Sequence, residues 1–275
     1  MALGFAVETA VGAGDASRVM GSGSVLRWVG VGVTFGMGCY GHVPPAGPSP
    51  MVKIRPEWVG GGSGVYRIER DDELVGEETF SIRADVGVWR VDGVVRWEGV
   101  LAHSEGYWLE FDAATAEPRA LGLFLELVGQ RRTLEARVHG GYLDSTAEGP
   151  GGSVERSIPY APGTNVEFSS PLFKAPLMSL LGPELVSGKP VFVRTIVFEP
   201  PEFSVHVELL RLLQQGERRS DRLVVLERRG QPVPAALWVR PDGLVSRMRT
   251  WPGGVTGPRL EWKLIGWKPS QSTPP

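Results

Sequence analysis

The sequence predicts an all-β protein with one short helical segment, built on a single curved antiparallel sheet that forms a half-barrel or a barrel. Three observations lead to this prediction. Apolar and polar residues alternate in short runs between residues 65 and 267, and a period of two is typical of strands buried on one face. Turn-forming pairs such as Asp-Gly separate many of the runs. Only one stretch has the apolar spacing of a helix.

Composition and charge limit the possible functions. The chain has 275 residues, of which 42% are hydrophobic, enough for a substantial core. Lys and Arg total 29 against 31 Asp and Glu, a formal charge of −2. This balance argues against a protein that coats nucleic acid, which normally carries a basic excess. A single cysteine excludes an internal disulfide and a CxxC metal or redox site.

Residues 1–39 are interpreted as a signal and lipoprotein leader. Arg27 precedes a ten-residue apolar run that ends just before Gly38 and Cys39, the arrangement of an export signal. The run is too short to span a membrane, which takes about 20 residues. Residues 36–39 are similar to a lipobox, with Gly where Leu is usual, so we expect lipid on Cys39. A plain cleaved signal and an unrelated apolar leader remain alternatives, and Met20 is a candidate true start.

The rest of the chain divides by composition. Residues 40–64 are rich in Pro and Gly, which favours an extended and loose tether. Residues 65–267 contain no linker and are predicted to form one antiparallel β domain. Residues 268–275 are predicted to be a loose tail.

The elements of the domain follow from alternation and turn signals. Asp71-Asp72 predicts a turn, and Asp92-Gly93 predicts a hairpin turn between strands 86–91 and 94–101. Further strands are predicted at 65–70, 120–128, 133–139, 191–198, 203–213, 223–228, 236–239, 244–250 and 259–267, with turns at Gly129-Gln130 and Pro241-Asp242-Gly243. Residues 203–213 also have helical features, and we interpret them as a strand.

One helix is predicted within Pro171–Leu185, where apolar side chains would fill one face. Pro176 and Gly182-Pro183 should keep it short or broken. It is a candidate cover for the apolar face of the sheet, which must be buried against something. Because one short helix covers little of a large sheet, the sheet must close on itself or leave a cavity.

Strand alternation separates an apolar, tryptophan-rich face from a charged face. The apolar face is predicted to carry Trp89, Trp97, Leu121, Leu123 and Leu125. Tryptophan offers a large apolar surface and one hydrogen-bond donor, and the chain has nine tryptophans. These five residues are therefore the candidate binding surface for an apolar ligand. Ordinary core packing is the alternative interpretation at each position.

Three segments resemble a family of bacterial envelope proteins of unknown function, the DUF3108-like proteins. They are Val65–Arg67 with Glu73–Phe80, then Pro171–Leu177 with Gly188, and Ala236–Arg247 with its Asp-Gly turn. The family is similar in shape to the lipoprotein carriers LolA and LolB and to other glycolipid-binding half-barrels. The resemblance implies a curved sheet around a short helical lid, with an apolar interior for acyl chains. It implies no catalytic residues.

Signals for catalysis or metal binding are few. His103 with Glu105 and His206 with Glu208 each put a base near a carboxylate. Residues two apart on a strand share a face, so His206 and Glu208 could act together, but a surface pair is the simpler interpretation. Asp71, Asp72 and Glu73 have the carboxylates of a cation site, yet are more typical of a solvated turn. We expect no enzyme activity, no metal and no cofactor.

These observations lead to one hypothesis and two alternatives. We expect an exported, lipid-anchored envelope protein, on the periplasmic or surface side, that binds a lipid or acyl chain without chemistry. Its partners would be an apolar small molecule and a membrane, not nucleic acid. The first alternative is a structural or interaction module of the envelope with a filled β core. The least favoured alternative is a hydrolase.

Overall fold

The structure is a computed structural model that describes residues 59–99, 102–127, 129–168, 175–181, 191–199, 203–218, 221–228, 231–251 and 258–270. All of them belong to one compact unit. The predicted leader, with Met20 and Cys39, lies outside the described residues, as does the tether before Val59. Among the described residues no helix is both long and apolar enough to cross a membrane.

Fifteen strands and one short helix make up the described part of the chain. In chain order they are β1 Gly62–Arg70, β2 Glu73–Asp85, β3 Val88–Trp97, β4 His103–Asp112, β5 Pro118–Leu127, β6 Gln130–His139, β7 Tyr142–Gly149, β8 Gly152–Pro159, β9 Asn165–Phe168, α1 Ala175–Ser179, β10 Val191–Glu199, β11 Ser204–Arg218, β12 Asp221–Arg228, β13 Gln231–Val239, β14 Val245–Thr250 and β15 Leu260–Pro269. The all-β prediction is confirmed.

All fifteen strands belong to one sheet, in the order β8-β7-β6-β5-β4-β3-β2-β1-β15-β14-β13-β12-β11-β10-β9. It consists of two antiparallel meanders, β1–β8 and β10–β15, joined where β1 pairs with β15. β9 adds a short strand parallel to β10. The sheet is not closed, because β8 and β9 form its two edges.

The connection between the two edges requires strong curvature. β8 ends at Pro159 and β9 begins at Asn165, so the link spans about 21 Å at most. Strands about 4.8 Å apart would place the edges of a flat fifteen-stranded sheet about 67 Å apart. The sheet therefore curls round, and the Arg156 guanidinium of β8 donates to the carbonyl of Phe203, just before β11, at 2.7 Å.

Helix α1 packs on the concave face of this curved sheet. It contacts β3 and β14, which are separated by three strands, and all five of its residues are buried. The Ser179 hydroxyl accepts a hydrogen bond from the Val245 amide at 2.9 Å, which ties the helix to β14. The rest of the predicted helix, residues 171–174 and 182–185, lies outside the described residues.

Two predicted turns and the interpretation of residues 203–213 as a strand are confirmed. Asp71 and Asp72 connect β1 to β2 with φ values of 49° and 72°, as a type I′ turn requires. Asp242 and Gly243 lie between β13 and β14, with φ at Gly243 of 84°. Residues 204–218 form β11.

The hairpin predicted at Asp92-Gly93 is wrong. β3 runs without interruption through both residues, and the chain reverses earlier, beside Gly87, whose φ is 70°. Gly93 lies opposite Tyr107 of β4, and a Cβ at Gly93 would be 2.2 Å from the Tyr107 ring. The glycine therefore makes room for an aromatic ring and does not form a turn.

The same arrangement recurs across the sheet. A Cβ would meet an aromatic ring within 2.6 Å at five glycines inside strands, namely Gly62 with Trp267, Gly64 with Phe80, Gly93 with Tyr107, Gly106 with Phe124, and Gly122 with Trp108. Cross-strand aromatic rings that cover glycines compensate for the missing side chain. Because Gly62 and Gly64 belong to β1, the last residues of the predicted tether are part of the folded sheet.

We expect Gly93→Ala to lower the free energy of unfolding by about 1–3 kcal/mol, because the new methyl group displaces the Tyr107 ring. Urea denaturation measures the change. Gly266→Ala in β15 is the matched control, since no atom lies within 4 Å of a Cβ there. Equal effects of the two substitutions would contradict the aromatic packing as the cause.

Candidate functional site: the concave face of the sheet

The predicted binding residues share the concave face. Trp89, Leu121, Leu123 and Leu125 are at most 4% exposed and belong to the core. Trp97 is partly buried and packs against them. The described part of the interior is therefore filled at four of the five predicted positions, and Trp97 is the one that reaches solvent.

A stack of three aromatic rings crosses the same face. The Tyr66 and Phe80 ring centroids are 5.2 Å apart and nearly parallel, and those of Phe80 and Trp267 are 5.7 Å apart. Tyr66 is fully buried, whereas Trp267 is partly exposed. The stack thus connects the interior to the surface.

Trp97 is the centre of a second aromatic group. Its ring stacks on the His103 imidazole, with 5.8 Å between centroids and 18° between planes. The Trp262 ring meets it edge-on at 6.2 Å. Strand pairing explains the contact with His103, because Trp97 of β3 lies opposite His103 of β4.

Glu105 lies beneath this group and is 1% exposed. One of its oxygens, Oε1, accepts a hydrogen bond from Trp97 Nε1 at 3.1 Å and lies 3.2 Å from His103 Nε2. A buried carboxylate is costly unless it is hydrogen-bonded, so the two neighbouring rings hold it in place. Ser104, between His103 and Glu105, points to the other face and is no nucleophile for this pair.

Glu78 is a second buried carboxylate, with no exposed surface. The Tyr107 hydroxyl donates to its Oε1 at 2.7 Å. Glu78 of β2 and Glu105 of β4 both lie opposite Val95 of β3, so the two acids occupy one transverse row of the sheet. We call Glu78 and Glu105 the concave acid pair.

Tyr66 of β1 lies opposite Glu78 of β2. Burial raises the pKa of the Tyr66 hydroxyl far above its usual value, and the nearby Glu78 carboxylate raises it further. The hydroxyl therefore stays protonated and donates to the carbonyl of Val245 at 2.6 Å. Together with Ser179, it fixes β14 and α1 against the centre of the sheet.

The sequence indicated Glu105 only as a carboxylate near His103, and the structure brings these two side chains together. Glu78 and its pairing with Glu105 were missed, although a signal was present. Glu78 lies two and four residues before Phe80 and Ile82 on β2, so it shares their face. Glu105 has the same spacing to Tyr107 and Leu109 on β4. A charged residue in phase with buried apolar residues indicates a charge on the buried face. The predicted pair His206 and Glu208 lies on β11, and the positions of those two side chains lie outside the described set.

The convex face carries charges of both signs. Carboxylate oxygens of Glu69, Asp72 and Glu261 lie within 4.8 Å of one another, which is close enough to share a metal ion. Basic side chains already compensate them. Lys263 Nζ is 2.5 Å from Glu69, and Arg249 is 3.3 Å from Glu261, while Arg259 pairs with Asp72. These ion pairs argue against a metal ion at this group.

A shallow depression of about 1180 Å³ lies on the convex face toward β8, lined chiefly by polar residues of β4–β8. Acidic side chains such as Glu110 and Glu135 alternate there with Arg119 and Arg137. The depression is open and lined mainly by charged and polar residues, and it contains none of the predicted binding residues.

Comparison with known proteins supports the fold. No protein-family model matches the sequence, and no curated protein is significantly similar to it. A crystal structure described as a β-barrel-like protein of domain of unknown function DUF1849, from Brucella abortus, is similar with a TM-score of 0.52 and 12% identity, over 79% of this chain and all of that one.

Two further solved structures are less similar. A DUF1089 family protein from Pseudomonas aeruginosa has a TM-score of 0.41 and 18% identity, over 62% of this chain and 87% of that one. An outer membrane lipoprotein-sorting protein domain from Vibrio parahaemolyticus has a TM-score of 0.21 and 11% identity, over 80% and 89% of the two chains. The β-barrel-like fold is supported by the Brucella abortus structure alone, and membership of the DUF3108-like family stays a prediction.

We expect Trp97→Phe to lower the free energy of unfolding by about 1–3 kcal/mol, because Glu105 loses a donor while the stacked ring is kept. Urea denaturation is the measurement. Trp108→Phe is the control, since Trp108 lies over Gly122 on the convex face. A Trp97 variant no less stable than the control would show that the hydrogen bond to Glu105 is unimportant.

Proposed function

We propose that the protein is an exported, lipid-anchored envelope protein that binds an apolar ligand, a lipid or an acyl chain, at the concave face, without catalysing a reaction. The observation that carries the proposal is the aromatic surface of that face. It consists of two groups, the stack of Tyr66, Phe80 and Trp267 and the cluster of Trp97 with His103 and Trp262. Each group includes one partly exposed tryptophan, Trp267 or Trp97. Burial of an acyl chain against such a surface would supply about 25 cal/mol per Å².

The filled interior determines where the ligand would enter. Trp89, Leu121, Leu123 and Leu125 are packed by other core residues, so a ligand reaches them only if those neighbours move. Trp97 and Trp267 are accessible as they stand. We therefore place the first contact at these two tryptophans, and Trp89 and the leucines line the site only after opening.

Anchoring and localisation rest on the sequence. Cys39 would carry the lipid, residues 40–64 would hold the domain away from the membrane, and the ligand would come from the envelope. The fold is compatible with this proposal.

A structural or interaction module is the second candidate, and the packed interior is the observation that favours it. A domain whose core is complete needs no ligand to bury its apolar face. Its polar depression on the convex face would then be the surface for a protein partner.

Native mass spectrometry, with lipid extraction of the same sample, tests the proposal. The full chain with Cys39→Ser, which removes any attached acyl group, is expected to retain lipid at near-stoichiometric amount. We expect Trp97→Ala to reduce the retained lipid several-fold, because it removes one of the two accessible rings, whereas Trp108→Ala on the convex face retains the full amount.

A protein free of lipid that takes up neither added fatty acid nor phospholipid would refute ligand binding and favour the interaction module. Equal loss of lipid in the Trp97 and Trp108 variants would place the lipid elsewhere than on the concave face.

A further inference from the structure

Three basic residues form a row across the convex face at the centre of the sheet. Arg247 of β14 lies opposite Lys263 of β15, and Lys263 lies opposite Arg67 of β1. We call these three residues the basic row. Like charges directly opposite each other on neighbouring strands are destabilising, so three in succession need a physical explanation.

Part of the explanation is a buried layer of acids beside the row. Glu261 is 1% exposed and Glu69 is 7% exposed. Lys263 Nζ lies 2.5 Å from Glu69 and 3.8 Å from Glu261, and Arg67 Nε lies 3.3 Å from Glu69. Arg247 pairs with Glu261. These contacts stabilise the row within the folded protein.

The layering makes the outer surface basic. The side chains of Arg67 and Lys263 are 48% and 37% exposed, whereas those of Glu69 and Glu261 are 9% and 1% exposed. At the three positions of the row, solvent therefore meets guanidinium and ammonium groups, and the two carboxylates that compensate them lie underneath. The exposed Glu77 of β2, opposite Arg67, ends the row on that side. Ion pairing explains the stability of the row, but not the arrangement with the positive charges outside.

The neighbours of the row extend this surface. Arg249 also pairs with Glu261, and both Arg247 and Arg249 lie over the Trp238 ring, at 4.7 and 5.4 Å from its centroid. Ile265, two residues beyond Lys263, is 61% exposed. The row is thus flanked by an exposed apolar side chain, and it belongs to three neighbouring hydrogen-bonded strands that hold the charges side by side.

We propose that the basic row docks the protein on an anionic membrane surface. Basic side chains close to a bilayer are attracted by anionic phosphodiester headgroups, and an adjacent apolar side chain inserts among those headgroups. The charge complementarity between the exposed bases and such a surface identifies the partner. The proposal concerns the convex face and does not depend on ligand binding at the concave face.

Vesicle sedimentation tests this docking. The full chain with Cys39→Ser is mixed with vesicles of phosphatidylcholine alone, or of equal parts phosphatidylcholine and phosphatidylglycerol. We expect binding to the anionic vesicles only, weakening as salt is raised. The double variant Arg67→Gln with Lys263→Gln is expected to bind about 25-fold more weakly, roughly five-fold for each basic residue removed.

A control variant also loses two positive charges, but at positions outside the basic row. Arg83→Gln with Arg131→Gln removes two exposed arginines from the convex face of β2 and β6, and it is expected to bind as tightly as the parent chain. Because the loss of Lys263 leaves buried acids with less compensation, thermal unfolding of each variant is recorded. Arg67→Gln alone keeps the pair of Lys263 with Glu69, and it should still bind about five-fold more weakly.

Three results of the vesicle assay would overturn the docking. They are unchanged binding by both basic-row variants, equal weakening by the control variant, and equal binding to vesicles without phosphatidylglycerol. Release of the protein by inorganic phosphate at constant ionic strength would also overturn it, because the row would then bind a small soluble anion and not a bilayer.

Discussion

The short link between β8 and β9 is the constraint on which the architecture depends. Five residues, Tyr160 to Thr164, connect the two outermost strands of a fifteen-stranded sheet. A chain of that length cannot cross a flat sheet, so the sheet has to curl until its edges approach each other. Curvature creates the concave face, and the concave face determines which side chains of every strand are buried.

Curling a sheet this large brings many side chains into a limited interior. The glycines inside the strands relieve the crowding, because Gly64 and Gly93 let Phe80 and Tyr107 lie flat against the neighbouring strand. The rings then cover backbone that lacks a side chain. The missing side chains of the glycines and the packing of the rings therefore depend on each other. Tyr107, the ring over Gly93, also donates the hydrogen bond that holds Glu78 of the concave acid pair.

Much of the fold followed from alternation and turn chemistry, whereas glycine within strands misled the sequence reasoning. Asp92-Gly93 is a typical hairpin-turn sequence. The reason for the glycine is Tyr107, which lies on the neighbouring strand, so the residues next to Gly93 in the sequence do not indicate it. No strand was predicted between residues 139 and 171. β8 lies there as an edge strand that is exposed at most of its positions, so it has no alternation to detect. The burial of Glu78 could have been predicted from its spacing to Phe80 and Ile82, which places it on the apolar face of β2. The overall composition of the chain does not reveal one buried charge.

The pairing of β1 with β15 has a consequence for how the chain folds. Every other pair of neighbouring strands in the two meanders is local in sequence, whereas Gly62 pairs with Pro269 near the two ends of the folded domain. Bringing Gly62 and Pro269 together closes a loop of nearly the whole domain. The entropy is lost before the contacts between β1 and β15 can compensate for it. Each meander can form from its own hairpins, and the central seam joins them late. The basic row and the Tyr66 stack both cross that seam, so we expect both to be completed late in folding.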